Sequence, residues 1–278
     1  CNSIIATKLA MKLADYTITE AGFGTELGAE KFFNIKCRKA GIAPNAAVVV
    51  ATIKSLKVHG GGAKKDVTQT NPEAVKKGIE NLKKHIENIH AFNIPVVIAV
   101  NRFSYDTDEE IHILKENCDY LGVNVVVCNN WQDGGKGSIE LAQAVTDLCE
   151  NHTTNFELLY DDDLPLLSKI TKIATEMYGA DEILADKQLR KDIKDLESQG
   201  FGHLPVCMAK TPVSLSTDPN LKGRPTNFGV PLRGVRLASG AGFIVVLTGD
   251  IITMPGLPKK PAAELIDVDN NGLINGLS

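Results

Sequence analysis

The first half of the chain alternates between two spacings of apolar residues. Short apolar runs predict strands at residues 16–19, 46–53, 95–100 and 124–128, and the β-branched run 46–53 is typical of a parallel strand buried on both faces. Apolar residues three or four positions apart predict helices at residues 4–14, 29–39, 72–92, 108–121 and 138–150. This order predicts an α/β fold with a mostly parallel sheet and flanking helices.

The second half has a different pattern. Two helices at residues 164–178 and 181–199 precede a strand at 204–209, and Pro and Gly become frequent after Thr211. Strands at 235–237 and 243–248 follow, and Asn271-Gly272 predicts the turn of a terminal hairpin. We expect a larger α/β domain over residues 1–150 and a smaller α/β domain with a Pro/Gly-rich tail over residues 151–278.

Composition narrows the class of protein. Apolar residues make up 43% of the 278 residues and charged residues 23%, which predicts a soluble globular chain. A net charge of −4 argues against a nucleic-acid binder. The apolar runs are too short to span a membrane, so we expect a cytoplasmic protein. The six cysteines form no Cys-x-x-Cys pair, which argues against a structural metal site.

Ligands of open parallel sheets bind beyond the carboxyl ends of the strands. That rule selects three loops, at residues 20–28, 101–107 and 129–137. The first contains Gly22-Phe-Gly24-Thr-Glu-Leu-Gly28, which is similar to a dinucleotide-binding turn. The next strand ends without the acidic residue that would hold the ribose. A small-anion site and a plain tight turn both remain open.

The other two loops each carry an aromatic residue. Phe103 follows one strand and Trp131, the only tryptophan, follows the next. Two facing rings suit a flat heterocycle, although packing at the edge of the core is the alternative. The loop with Trp131 also contains Gly135-Lys136-Gly137-Ser138, but it lacks the glycine and hydroxyl positions of a P-loop. The sequence therefore contains no motif of that kind for a triphosphate.

Long irregular strings across nearly the whole chain resemble formate–tetrahydrofolate ligase. Two of them are Leu13-Ala-Asp-Tyr-Thr-Ile-Thr-Glu-Ala-Gly-Phe-Gly24 and Gly200-Phe-Gly-His-Leu-Pro-Val-Cys-Met-Ala-Lys-Thr211. The others occupy residues 27–38, 50–60, 81–88, 240–244 and 248–258. The resemblance implies that the larger domain is the remainder of a nucleotide- and folate-binding domain related to P-loop NTPases.

The resemblance also implies a reaction and its site residues. In this family, ATP with Mg²⁺ drives the joining of formate to N10 of tetrahydrofolate through formyl phosphate. Phe103 and Trp131 match the pair that encloses the folate ring, and Phe23 and Gly24 match the loop that approaches formyl phosphate. The family also implies a homo-oligomer and a nucleotide contact at Met254, Pro255, Gly256 and Leu257.

Two departures from the family pattern qualify these expectations. Thr25-Glu26 stands where Ala-Asp is commoner. The family's P-loop has no counterpart here, and the chain opens at a helix cap without methionine. We therefore expect the carboxyl-terminal half of the enzyme, inactive without the amino-terminal half. A catalytically inactive binding or assembly module and a nicotinamide-binding oxidoreductase are the alternatives.

Overall fold

The helices occupy both halves of the chain. The computed structural model describes residues 3–249, 260–261, 264–271 and 273–276. The helices are α1 (Ile4–Leu13), α2 (residues 25–40), α3 (Ile53–His59), α4 (Pro72–His90), α5 (Asp108–Asp119), α6 (Asn130–Asp133), α7 (Ile139–Asn151), α8 (residues 166–178) and α9 (Lys187–Leu196). Helix α2 contains the π-helical turns Thr25–Ala29 and Phe32–Cys37, and α8 ends in another, Ile173–Tyr178. The described residues also include the short helical turns Lys64–Asp66, Gly134–Ser138 and Glu197–Phe201.

The strands form two larger sheets and a hairpin. They are β1 (Ala47–Ala51), β2 (Val96–Asn101), β3 (Asn124–Cys128), β4 (Glu182–Leu184), β5 (Val206–Ala209), β6 (Gly229–Ala238), β7 (Phe243–Thr248), β8 (Asp267–Val268) and β9 (Ile274–Asn275). The first sheet is parallel, with the order β1-β2-β3. The second has the order β4-β6-β7-β5 and only the β6–β7 pair is antiparallel. The predicted α/β class with a mostly parallel sheet is confirmed.

Helix starts follow capping rules that are visible in the sequence. The Ser3 hydroxyl accepts the Ala6 N–H at 3.2 Å before α1, and the Asn71 side chain accepts the Ala74 N–H at 3.0 Å before α4. Thr107 starts α5 with a reciprocal capping box, in which its hydroxyl accepts the N–H at position 110 and its own N–H is accepted by that residue's carboxylate. Local residues therefore set where these helices begin.

One cluster of buried apolar side chains joins both halves of the chain. It includes Phe33, Phe92 and Val100 from the first half and Ile170 and Ile244 from the second. The Phe33 and Phe92 rings lie 4.7 Å apart between centroids, within the range for favourable aromatic pairs. The division into domains at residue 150 stays a prediction.

Four expectations from the sequence are wrong. Residues 16–19 form no strand, and Ile18 is 92% exposed there. Strand β1 is shorter than expected because Thr52 caps α3 by accepting the Ser55 N–H at 3.0 Å. It is also not buried on both faces, since Val50 is 68% exposed. The segment expected to be one helix at 181–199 begins with strand β4, which pairs with β6.

Candidate functional site

The turn at residues 22–25, just before α2, has an unusual backbone. Phe23 has φ of 65°, and its ring is 81% exposed. A positive φ at a bulky residue costs about 1–3 kcal/mol, and strain of this kind is concentrated at functional sites. An exposed ring recovers little of that cost by packing. The turn therefore presents an aromatic side chain outward at an energetic cost.

A buried group of charged and polar side chains lies beneath this turn. We call Thr25, Glu26, His85, Asn88 and Lys210 the Glu26 cluster. The Glu26 carboxylate is almost fully buried, with Oε1 3.3 Å from Lys210 Nζ and Oε2 3.6 Å from His85 Nδ1. The hydroxyl of Thr25 lies 2.9 Å from His85 Nδ1 and accepts Asn88 Nδ2–H at 3.2 Å. The turn is thus supported by a connected polar network.

The glycines of the turn are in close contact with this network and with each other. A Cβ atom at Gly24 would lie 2.1 Å from Glu26 Oε2 and 2.8 Å from the His85 ring. A Cβ atom at Gly28 would lie 1.9 Å from the Gly22 carbonyl oxygen. Glycine is required at both positions because the protein itself occupies the space. Close internal packing thus explains both glycines without a nucleotide.

Lys210 brings the second sheet into the cluster. It directly follows β5, and its ammonium group also donates to the carbonyls of Thr211, at 2.8 Å, and Ser214. The same group lies 5.2 Å from the centroid of the Tyr178 ring. Burial lowers the pKa of Lys210, and the nearby Glu26 carboxylate opposes that shift. These contacts fix the lysine in one orientation.

His85 of the cluster and the nearby His59 are both held in the neutral form. Burial lowers the pKa of His85, and it lowers the pKa of His59 to about 4. The His59 Nδ1 atom accepts the N–H of Gly223 at 3.1 Å, which requires an unprotonated ring nitrogen. At neutral pH the charges beneath the turn are therefore those of Glu26 and Lys210.

The two aromatic loops lie side by side, as the sequence predicted. Strands β2 and β3 are neighbours, and the Arg102 N–H donates to the Cys128 carbonyl at 3.1 Å where both strands end. Phe103 is half-buried and stacks on Tyr105, with centroids 5.6 Å apart and ring planes 5° from parallel. Trp131 stacks on no other ring among the described residues, and 91% of its surface is exposed. The enclosure of a ligand between Phe103 and Trp131 stays a prediction.

Buried acids anchor the loop that carries Phe103. The Asp106 carboxylate accepts the Phe103 N–H at 2.9 Å, and burial raises the pKa of Asp106. Beneath it, Lys57 and Glu110 form a buried ion pair of 2.8 Å. Glu110 also accepts the N–H of Asn71 at 2.8 Å, so the pair connects this loop to the start of α4.

An open cavity of about 580 Å³ lies beside the aromatic loops. It is bounded by α5 on one side and by the segment after β3 on the other. Arg102 in its wall is paired with Asp108 at 2.8 Å. Its other charged residues are Lys115, Asp133, Lys136 and Glu140, with His112 at the rim. Acidic and basic groups are balanced there, so the wall favours neither sign of ligand.

Other expected sites receive less support from the structure. Met254, Pro255, Gly256 and Leu257 lie outside the described residues. In the described ranges, no three His, Cys, Asp or Glu side chains are grouped to hold a metal ion. The helices that the structure describes include none with the length and apolarity to cross a bilayer.

The deepest residues of the site are only indirectly indicated by the sequence. Lys210 lies in one of the strings that carry the family resemblance and directly follows a predicted strand, so the strand-end rule selects it. His85 lies within a predicted helix, where periodicity gives no indication of a contact with Glu26. That contact depends on how α2 and α4 pack together.

Comparison with known proteins confirms the family resemblance. The family model for formate–tetrahydrofolate ligase matches residues 1–278. The chain is 56% identical over 277 residues to formate–tetrahydrofolate ligase of Ruegeria sp. (strain TM1040), an alignment covering 100% of this chain and 50% of that relative. The ligases of Sinorhizobium medicae (strain WSM419) and Pelagibacter ubique (strain HTCC1062) are 53% and 52% identical, each with 100% of this chain and 49% of the relative covered. The chain spans about half the length of these curated relatives, and it belongs to the formate–tetrahydrofolate ligase family.

Proposed function

We propose that this chain supplies the folate-binding loops and the formyl phosphate turn of an enzyme that joins formate to N10 of tetrahydrofolate. The family match over residues 1–278 carries this proposal. In the reaction, formate attacks the γ-phosphate of ATP, which enters with Mg²⁺, and gives formyl phosphate and ADP. The N10 amine then attacks the formyl carbon, the C–O bond to phosphate breaks, and the amine loses its proton.

Phe23 and Gly24 contact formyl phosphate in this proposal. The strained backbone and the exposed ring of Phe23 support this assignment, because backbone strain is costly and is concentrated at functional sites. The pairing of Glu26 with Lys210 also supports it, because the pair holds the turn in place from beneath. A turn that is fixed before the ligand arrives does not lose conformational entropy when the ligand binds.

Phe103 and Trp131 enclose the folate ring. The adjacent ends of β2 and β3 and the exposed surface of Trp131 support this assignment. Stacking on both ring faces would hold N10 in a fixed direction toward the formyl carbon. Orientation of two reactants in this way can lower a barrier by about 7 kcal/mol or more.

Binding of ATP requires residues in addition to Phe23, Gly24, Phe103 and Trp131. The 278 residues contain no Gly-x₄-Gly-Lys-Ser/Thr sequence to hold the β- and γ-phosphates. Met254, Pro255, Gly256 and Leu257 form an apolar wall for the nucleotide base in this proposal. The phosphates are bound by the part of the ligase that this chain does not cover, and the assembled enzyme is a cytoplasmic homo-oligomer.

A coupled assay with ATP, formate and tetrahydrofolate tests this division of function. We expect no formyltetrahydrofolate from the 278-residue chain alone. Turnover should appear when the first half of the Ruegeria relative is supplied, either as a separate chain or fused to this one. Sustained turnover by the chain alone would contradict the proposal, and so would inactivity of a folded fusion.

A binding or assembly module without catalysis is the second candidate. The coverage of only half of each relative favours it, because the whole reaction needs both halves. In that case the fused chain would bind tetrahydrofolate, detected by quenching of Trp131 fluorescence, but would produce nothing. A nicotinamide site is disfavoured because residues 14–24 include no strand to lead into the glycine turn.

A further inference from the structure

The turn at residues 22–25 rests on charges that come from two different sheets. Glu26 lies in the first turn of α2, and His85 lies on α4, which packs against β1 and β2 of the first sheet. Lys210 directly follows β5 of the second sheet. The position of the turn is therefore coupled to the register between the two sheets.

The Glu26 carboxylate would repel an anionic ligand at the turn unless its negative charge is compensated. Its Oε2 atom is buried against Gly24 and has no hydrogen-bond partner among the described residues. Two like charges about 4 Å apart repel each other strongly where little water separates them. An uncompensated carboxylate in this place would repel a phosphate that approaches the turn.

Lys210 is the group that compensates this charge. Its ammonium group lies 3.3 Å from Glu26 Oε1 and is itself fully buried, so solvent screens the pair little. The longer side chain of Glu26 makes this contact possible, since Asp at the same backbone position would end about 1.5 Å short, one C–C bond length. The pair is thus a property of the Thr25-Glu26 sequence found in this chain.

We propose that Lys210 is a positioning residue for the 22–25 turn: through Glu26 it fixes the backbone at Gly24 and cancels a negative charge beneath the acyl phosphate. This inference rests on the proposed role of the turn in binding formyl phosphate. Lys210 does not itself reach the ligand, because its side chain is fully buried and three oxygen partners already surround it.

Amide hydrogen exchange of the ligand-free chain tests the effect on the backbone. In Lys210→Met, we expect exchange in residues 20–28 to rise by about tenfold, because local opening no longer breaks an ion pair. Lys57→Met is the matched control, since it removes an equally buried lysine from the Lys57–Glu110 pair. It should raise exchange near residues 71 and 107 and leave residues 20–28 unchanged. Equal effects of both substitutions on residues 20–28 would overturn the proposal.

Calorimetric titration with phosphonoacetate, a stable acyl phosphate analogue, tests the effect on charge. Lys210→Met should weaken binding by about tenfold, since one unit of uncompensated charge then faces the ligand. The double variant Glu26→Gln/Lys210→Met removes both charges and should recover affinity to within about threefold of the wild-type chain. A double variant as weak as the single one would show that only packing was lost, and would overturn the charge role.

The two measurements separate this inference from the proposed function. Failure of the wild-type chain to bind phosphonoacetate, with the exchange pattern as expected, would reject the assignment of an acyl phosphate to the turn. It would leave Lys210 as a positioning residue of the backbone. Unchanged exchange in Lys210→Met, with normal binding, would reject Lys210 and leave the assignment of the turn intact. If Lys210→Met fails to fold, the double variant provides both comparisons, because it contains no buried unpaired charge.

Discussion

The turn at residues 22–25 and the aromatic loops after β2 and β3 are built on different physical principles. The turn lies over a buried ion pair, with Gly24 in tight contact with Glu26 and His85 beneath it and Gly28 in tight contact with the Gly22 backbone. The aromatic loops owe their proximity to two parallel strands that end together. Trp131 is almost fully exposed and contributes little to the folded state. Stability and ligand binding should therefore be coupled at the turn and separable at the loops.

The largest effect should come from Gly24→Ala. The added Cβ would lie 2.1 Å from Glu26 Oε2, so the carboxylate must shift from the position in which it pairs with Lys210. Disruption of a buried ion pair costs about 3–5 kcal/mol, which urea unfolding followed by circular dichroism would measure. Gly22→Ala is the control, because no atom lies within 4 Å of its added Cβ. Equal stability of the two variants would show that Gly24 can relax without disturbing the pair.

The next effect separates binding from stability at Trp131. In the fused full-length protein, Trp131→Ala should remove stacking worth about 1–3 kcal/mol, which is a loss of roughly 5- to 150-fold in tetrahydrofolate affinity. Its unfolding free energy should change by less than about 0.5 kcal/mol because the ring is exposed. Calorimetry measures the affinity, and Trp131→Phe, which keeps a ring, is the control. Unchanged affinity in Trp131→Ala and Phe103→Ala would remove both residues from the folate site.

The sequence predicts the loops better than the turn for a physical reason. Apolar runs at residues 95–100 and 124–128 predicted β2 and β3, and the observed strands end within one residue of the expected positions. Phe103 and Trp131 both lie just beyond these strand ends, although the helical turn α6 that carries Trp131 was not predicted. The pairing of Glu26 with Lys210 joins residues 184 positions apart, and no local pattern encodes it. The family resemblance predicted a role for the turn, whereas the ion pair beneath it is visible only in the structure.

The errors in strand prediction have the same origin. Residues 16–19 have strand-like composition but pair with no strand in the described part of the chain, and a short segment needs such a partner to form a strand. The run at 46–53 is apolar enough for burial on both faces, yet Val48 and Val50 are exposed. Burial depends on what covers a face, and the sequence of the strand itself does not specify that.

Acid should affect the two regions in opposite directions. The pKa of His59 is lowered to about 4 from an ordinary value near 6.5, so the unfolded chain binds a proton there that the folded chain does not. Its contribution to stability is complete above pH 6.5 and is lost as the pH falls toward 4. The pKa of Asp106 is raised, so falling pH favours the folded form of its loop.

Urea unfolding between pH 7 and 4 measures this acid effect. His59→Gln should flatten the fall in stability because it cannot take up a proton, although its amide oxygen can still accept the Gly223 N–H. The matched control is His112→Gln, since His112 is largely exposed and its imidazole contacts Glu116 at the surface. The same acid dependence in the wild-type chain and in His59→Gln would exclude His59 as its source.

The smallest expected effect concerns Tyr105. Substitutions there test whether the stack of Tyr105 on Phe103 contributes to ligand binding at the aromatic loops. Its ring stacks on one face of Phe103 with the centroids 5.6 Å apart, and in the proposed site the folate ring would cover the other face. Tyr105→Leu should weaken tetrahydrofolate binding to the fused full-length protein by about 2- to 12-fold, which corresponds to the 0.5–1.5 kcal/mol of an aromatic pair. Tyr105→Phe should keep full affinity, because the stacking needs only the ring. An equal loss in both variants would mean that the hydroxyl contacts the ligand, whereas no loss in either would mean that Phe103 is held by the Asp106 hydrogen bond alone.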